Sequence, residues 1–402
     1  MKRLLTLLLL SGLLSTGFSQ LPTHWRGPTG NGIYSESGLM TSWPVDGPEV
    51  LWAYEQLGIG HSSPVVSQGF LYTSGMVGET GMLFKFDLEG NLIWKKPYGP
   101  EFNSSYTGPR GAPVVVGDHI YLESGTGELY CLTAGDGSII WKKDLFKDFD
   151  GKNITWGVNE TPLVDGDIIY ATPGGKNNNV VALDRHSGDM VWSSKGKGEL
   201  SAYCSPLMIL HNGRKILVTH TASHLIGLDA GSGDLLWAQK QPNEYGVHAN
   251  TPVYHNGVIF YFSGYGQGGG SLVLSMDGSS ITQSWFSKKL DSRMGGAVLV
   301  DGYIYMSGDY AREWRCVEWE TGKEMYASSE LGKGVVIYAD GMLYCYTDRG
   351  ELALVKADPS GFKVISKTKV MKGSEQHWAH PMIHEGVLYV RHGSAIIAYK
   401  VK

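Results

Sequence analysis

Cysteine is scarce. Only Cys131, Cys204, Cys316 and Cys345 occur in 402 residues. None adjoins another and no CxxC spacing exists, which excludes a zinc knuckle, a dithiol redox pair and a disulfide scaffold. Each sits in an apolar run such as Leu129-Tyr130-Cys131-Leu132 and is expected as a small buried hydrophobe. Charge is thin too, at 18% of residues with a formal net of −5. Nucleic-acid binding, which needs a basic excess, has no footing. The 42% hydrophobic content excludes a disordered chain. No stretch holds a helical apolar period, so a helical solenoid and a coiled coil are excluded as well.

Long apolar runs are absent after the first twenty residues. There, Lys2 and Arg3 precede Leu4 to Leu14, and Gly17 and Ser19 place small residues before a cut at Gln20. This is the pattern of a secretory leader over residues 1–19. The run is shorter than the about 20 apolar residues a bilayer span needs. No Cys lies near the cut for lipid attachment. The expected product is a soluble, exported monomer, periplasmic or extracellular, with no membrane span.

Glycine is abundant, at 55 residues, and much of it falls in a repeat. One half of the unit reads small residue, Pro, apolar run, Gly turn, apolar-aromatic pair. Ser63-Pro64-Val65-Val66 with Leu71-Tyr72 is one copy and Thr161-Pro162-Leu163-Val164 with Ile169-Tyr170 another. The other half reads apolar-x-apolar-Asp, then Gly, then apolar-Trp, as in Val181-Ala182-Leu183-Asp184 with Gly188 and Val191-Trp192. The Trp recurs at 94, 141, 192, 237 and 285, becoming Tyr326 and Val364 in degenerate copies. The anchors stand at Pro64, Pro113, Pro162, Pro206, Pro252, Ala297, Val336 and Pro381. Their spacing is close to the roughly 40 to 50 residues of four-stranded propeller blades.

The expected fold is therefore all-β: an eight-bladed propeller of four-stranded antiparallel blades over residues 48–402. The final copy lacks a fourth strand, and Val50-Leu51-Trp52-Ala53-Tyr54 is a strand to spare. Joined in one blade, the two would close the ring without an orphan edge. Residues 20–47 are an N-terminal extension expected to pack across the ring. The Trp series is expected to fill blade interfaces against Gly turns.

These Trp copies resemble the tryptophan-docking repeats of the PQQ-like β-propeller superfamily, which includes quinoprotein alcohol dehydrogenases and the BamB lipoprotein of outer-membrane β-barrel assembly. Trp25-Arg26-Gly27-Pro28-Thr29-Gly30-Asn31-Gly32 resembles the opening of an exported branch of that superfamily. The resemblance implies either a binding or scaffolding role in the cell envelope or a dehydrogenase using PQQ with calcium. The dehydrogenases' vicinal Cys pair is absent here, and no cofactor is required by the residues themselves.

In a propeller, the loops leading into the innermost strands open on one face of the central channel. The residues before the anchors differ from blade to blade, as a binding ring requires and a repeated structural position does not. The expected ring is His61, Arg110, Glu160, Tyr203, Asn250, Arg293, Lys333, Trp378 and His380. Arg110, Arg293 and Lys333 against Glu160 make it cationic, suited to an anionic or polyhydroxylated small molecule or to an acidic segment of an envelope protein. The alternative is a solvated rim in which Glu160 pairs with an Arg. His61, His248, His377 and His380 are considered as metal ligands, but no metal site is expected.

Overall fold

Four strands in chain order build each repeat of the computed structural model, which describes residues 22–294 and 296–402. The expected leader, residues 1–19, lies outside the described residues. In the first blade these strands are Val65–Ser67, Phe70–Val77, Thr80–Asp87 and Leu92–Pro100. Inner strands are buried on both faces and outer strands half exposed, as when sheets stack face to face around a hub. Many first hairpins turn on pairs such as Asn212-Gly213 and Asp301-Gly302 with both φ positive, the geometry that twisted two-stranded ribbons favour.

Six further sheets cover residues 114–144, 163–194, 207–240, 253–287, 297–328 and 334–369. The eighth is composite. Met382–His384, Val387–His392 and Ala395–Lys400 are joined by Val50–Tyr54, with Trp52 opposite Ala398 and Tyr54 opposite Ile396. The molecule is an eight-bladed propeller closed by its two ends, as the repeat count and the spare strand implied. The one helix among the described residues is a single turn, Leu145–Asp148, capped by the Asp144 carboxylate.

Tryptophan docking joins the blades. The indole N–H groups of Trp52, Trp94, Trp141, Trp192 and Trp285 donate to Leu88, Gly135, Arg185, Ala230 and Trp319 of the following blade at 2.8–3.0 Å. Gly90 lies under Trp52 so closely that a Cβ there would stand 2.5 Å from the ring. Trp237 departs from the pattern and covers Gly227 of its own blade.

Blade 7 corrects one expectation. Its Trp position is not Val364, because a bulge separates the Leu354–Ser366 and Val355–Val364 pairs and puts Ser366 in that place. The extension supplies the missing ring. Trp43 packs against Tyr344 with centroids 6.1 Å apart, and its backbone N–H bonds the Ser366 hydroxyl. All eight outer strands carry a bulge just before this position, a device that twists an exposed edge away from strand addition.

The extension also stoppers the hub. Thr23 exchanges two hydrogen bonds with Val115 on the inner strand of blade 2. Arg26 then donates to the Ala297 carbonyl of blade 6 at 2.7 Å. Ile33–Tyr34 runs parallel to the inner strand of blade 7, opposite Tyr338 and Ala339.

Candidate functional site

Inner strands converge at one mouth, and the residue touching each anchor holds the convergence together. Ser63 accepts the His380 N–H, Thr161 the Ala112 N–H and Ser205 the Thr161 N–H, at 2.9–3.1 Å. These bonds run from blade to blade. A small hydroxyl residue reaches the neighbouring backbone where a larger side chain would push it away, which accounts for the Ser and Thr before Pro.

Two residues further back, the alternation of an extended chain turns the side chain to the channel. The third residue before each anchor is His61, Arg110, Asn159, Tyr203, Ala249, Met294, Lys333 or Trp378, and all eight line a cavity of about 550 Å³. Of the nine expected ring members, His61, Arg110, Tyr203, Arg293, Lys333, Trp378 and His380 line it. Glu160 and Asn250 do not, and for one reason: they occupy the second position before the anchor, which faces between blades. Glu160 accepts from the Thr172 N–H at 2.9 Å, and Asn250 donates to the carbonyls of Phe262 and Ser292.

Trp25 forms the floor, its ring edge-on to His380 at 4.5 Å. Arg26 is buried beside it, and burial draws its guanidinium down to about 10. Burial, with Arg26 nearby, holds His380 well below the usual imidazole range. Above the floor stand two aromatic walls. One is His61, Trp378 and Tyr106, with centroids 4.9 and 5.2 Å apart and planes tilted 45° and 46°. The other is Tyr203, Trp156 and Tyr265, the last two bridged by Tyr245 outside the lining, with tilts of 45°, 66° and 58° along the run.

Tyr106, Tyr203, Tyr265 and Arg312 line this cup with φ between 47° and 66°. The left-handed conformation is costly for bulky residues, and it gathers where a binding surface dictates side-chain direction. Trp25, Tyr106, Trp156, Tyr265 and Arg312 were not among the expected residues. The pointer available was an aromatic beside Gly in a loop: Tyr106-Thr107-Gly108, Trp156-Gly157 and Gly264-Tyr265-Gly266.

The charges are not equivalent. Arg293 and Lys333 share the buried Asp309 carboxylate, Arg293 at 3.1 Å. Arg312 contacts both oxygens of Asp348 at 2.8 and 3.0 Å. None of these cations pairs with Glu160. Among the described residues, Arg110 alone of the cup's cations has no ion-pair partner. It donates to the Tyr106 carbonyl at 2.9 Å and lies 5.7 Å from the Phe102 ring, and its Nε is buried without a partner.

Three carboxyl groups are buried close to one another, Glu101, Glu123 and Glu160, and Glu101 is near enough to Arg110 to feel its charge. Burial pushes all three above the usual carboxylate range, Glu101 to about 7, and Glu160 and Glu101 raise Glu123 further. The four histidines considered as ligands do not meet. His248 stacks on His220 at 4.7 Å and His377 on His392 at 3.6 Å, leaving His61 and His380 in the cup. Among the described residues, no group of three or more His, Cys, Asp or Glu is placed to hold a metal ion.

Solved structures share this architecture. BamB from Moraxella catarrhalis superposes with a TM-score of 0.61 at 12% identity, covering 88% of this chain and 99% of that one. Quinohemoprotein alcohol dehydrogenase from Comamonas testosteroni also gives 0.61 at 12% identity, covering 93% and 79%. At such identities the likeness is one of fold. In sequence, BamB of Shewanella oneidensis is 23% identical over 166 residues, 40% of each chain. That of Salmonella typhimurium is 28% identical over 138 residues, 33% of this chain and 31% of its own. The matches thus span well under half the length of these relatives. A family model described as outer membrane protein assembly factor BamB matches residues 79–325, more than half of the sequence, and the chain belongs to that family.

Proposed function

We propose that this is an exported, monomeric binding propeller of the cell envelope, which holds an anionic small molecule or an acidic segment of a partner protein in the mouth cup. One observation carries the reading: each blade sends a different side chain from the same backbone position into one stoppered cavity, where the Arg110 guanidinium has no ion-pair partner among the described residues. A structural position would repeat, as the docking Trp does. The volume falls within the about 300–1,000 Å³ typical of small-ligand sites, and assembly factors among the relatives support a role in binding.

The second reading is a PQQ-dependent oxidoreductase acting on alcohols or sugars, favoured by the fold shared with the dehydrogenase. A single ring of the aromatic walls, with Arg110, gives a flat polyacid one facet to stack on. The carboxylates do not suit calcium: Asp348 is engaged by Arg312, and Asp309 is buried between Arg293 and Lys333. A cation there would displace one protein cation from Asp348 or two from Asp309.

The test is a thermal-shift and calorimetric panel of uronate oligomers, glutamate peptides, aromatic polycarboxylates, and PQQ with and without calcium. At least one anion class should raise the midpoint of the wild type. Its affinity should fall about tenfold or more in the Arg110→Ala/Arg293→Ala double variant, the loss of at least one charge-assisted contact. No shift with any anion overturns the reading. Stoichiometric calcium-dependent PQQ binding with dye reduction by an alcohol replaces it with the second.

A further inference from the structure

We infer that the cup is built for an acidic oligosaccharide, an inference that rests on the binding reading above and names its ligand class. Three features of the lining select among anions.

The first is the shape of the walls. No two neighbouring rings are parallel; every adjacent pair is tilted by 45° to 66°. Such a faceted surface gives a flat fused-ring acid only one facet to lie on. A chain of puckered sugar rings presents C–H faces in several directions and can meet successive facets. The left-handed backbone at Tyr106, Tyr203 and Tyr265 fixes those facets before any ligand arrives.

The second is the demand for donors. Asn159 Oδ1 and Gln376 Oε1 are buried at the cup lining and accept no hydrogen bond. A carboxylate cannot satisfy an acceptor; a hydroxyl can, once a turn of the amide brings its oxygen out to the cup. A site with buried acceptors discriminates strongly for ligands that bring the missing O–H groups.

The third is the count of open cations. Four cations, Arg110, Arg293, Arg312 and Lys333, face two carboxylates, Asp309 and Asp348, and Arg110 is paired with neither. That surplus takes one or two carboxylates or sulfates. Polyhydroxylated rings carrying an acid group supply all three needs; a glutamate run brings charge in excess and no ring, and a polycarboxylate brings no hydroxyl.

The experiment is calorimetric titration of the full-length mature protein with tetramers of galacturonate and of mannuronate, the methyl ester of the first, tetraglutamate and an aromatic polycarboxylate. A uronate tetramer should bind, and esterification and Arg110→Gln should each weaken it about tenfold or more. Asn159→Leu should weaken it by a similar factor, tetraglutamate should bind more weakly than either uronate, and circular dichroism of each variant checks the fold. If tetraglutamate or an aromatic polycarboxylate binds and neither uronate does, the ligand class is overturned and the binding reading stands. If uronate binding survives both Arg110→Gln and Asn159→Leu, the cup is not where it binds and the inference falls. If no anion binds, the reading beneath it falls too.

Discussion

The Trp43 backbone N–H donates to the Ser366 hydroxyl at 2.8 Å, and through this contact the extension repairs a blade that has no ring of its own at the docking position. Trp43 is 7% exposed, among Tyr344, Leu388 and Tyr399 of blades 7 and 8. Trp43→Ala should destabilise the protein by about 3–5 kcal/mol. Ser366→Ala, which removes only an acceptor, should cost about 1 kcal/mol. Chemical denaturation of the two variants checks the order; equal losses would mean the ring contributes no more than the backbone hydrogen bond does.

Gly90 and Gly69 both have φ in the left-handed region, 91° and 77°, but only Gly90 has a ring against it. Gly69→Ala meets open space and should cost only the backbone term, about 1–2 kcal/mol. Gly90→Ala must also push Trp52 off its seat in the closing blade, adding about 1–3 kcal/mol. Thermal midpoints should therefore separate the two, with the Gly90 variant lower.

Glu101 is buried and its carboxyl is raised to about 7, against about 4.3 in an unfolded chain. The folded state holds this proton more tightly, so the contribution is complete below about pH 4.3 and is lost as pH climbs through about 7. Glu101→Gln keeps a neutral group at all pH values. Relative to wild type, the variant should gain stability between pH 5 and pH 8, which parallel urea titrations at the two pH values would read. A constant difference would show that Glu101 is ionised throughout.

Asp348 neutralises Arg312 at the cup wall. Asp348→Asn leaves Arg312 free to face a ligand, so anion affinity should rise several-fold and become more sensitive to salt. Arg110→Ala should move it the other way. Titrations at low and at physiological ionic strength check both signs. Unchanged affinity in the Asp348 variant would mean the ligand sits away from blade 7.

Most of the fold is legible because propeller blades repeat their local chemistry. Pro anchors, Gly turns and Trp positions stand in nearly constant register, and the spare strand around Trp52 foretells the closure. What escaped lies where a bulge or a loop breaks that register. Reading apolar type without the bulge places the blade 7 position at Val364 rather than Ser366. The cup follows a simpler rule than the expected ring did: one alternation step separates Asn159, which lines it, from Glu160, which lies between blades. Trp25 and Arg312 belong to no repeat, and only the folded chain brings them to the hub.

The cup's floor is laid by Trp25, and the ring is fastened through Trp52 to a segment ending at Lys400. A nascent or clipped chain missing its final blade thus lacks both His380 behind the floor and the partner of its closing strand. The floor of the cup and the completed circle therefore arrive in the same folding event, and an unfinished copy has neither.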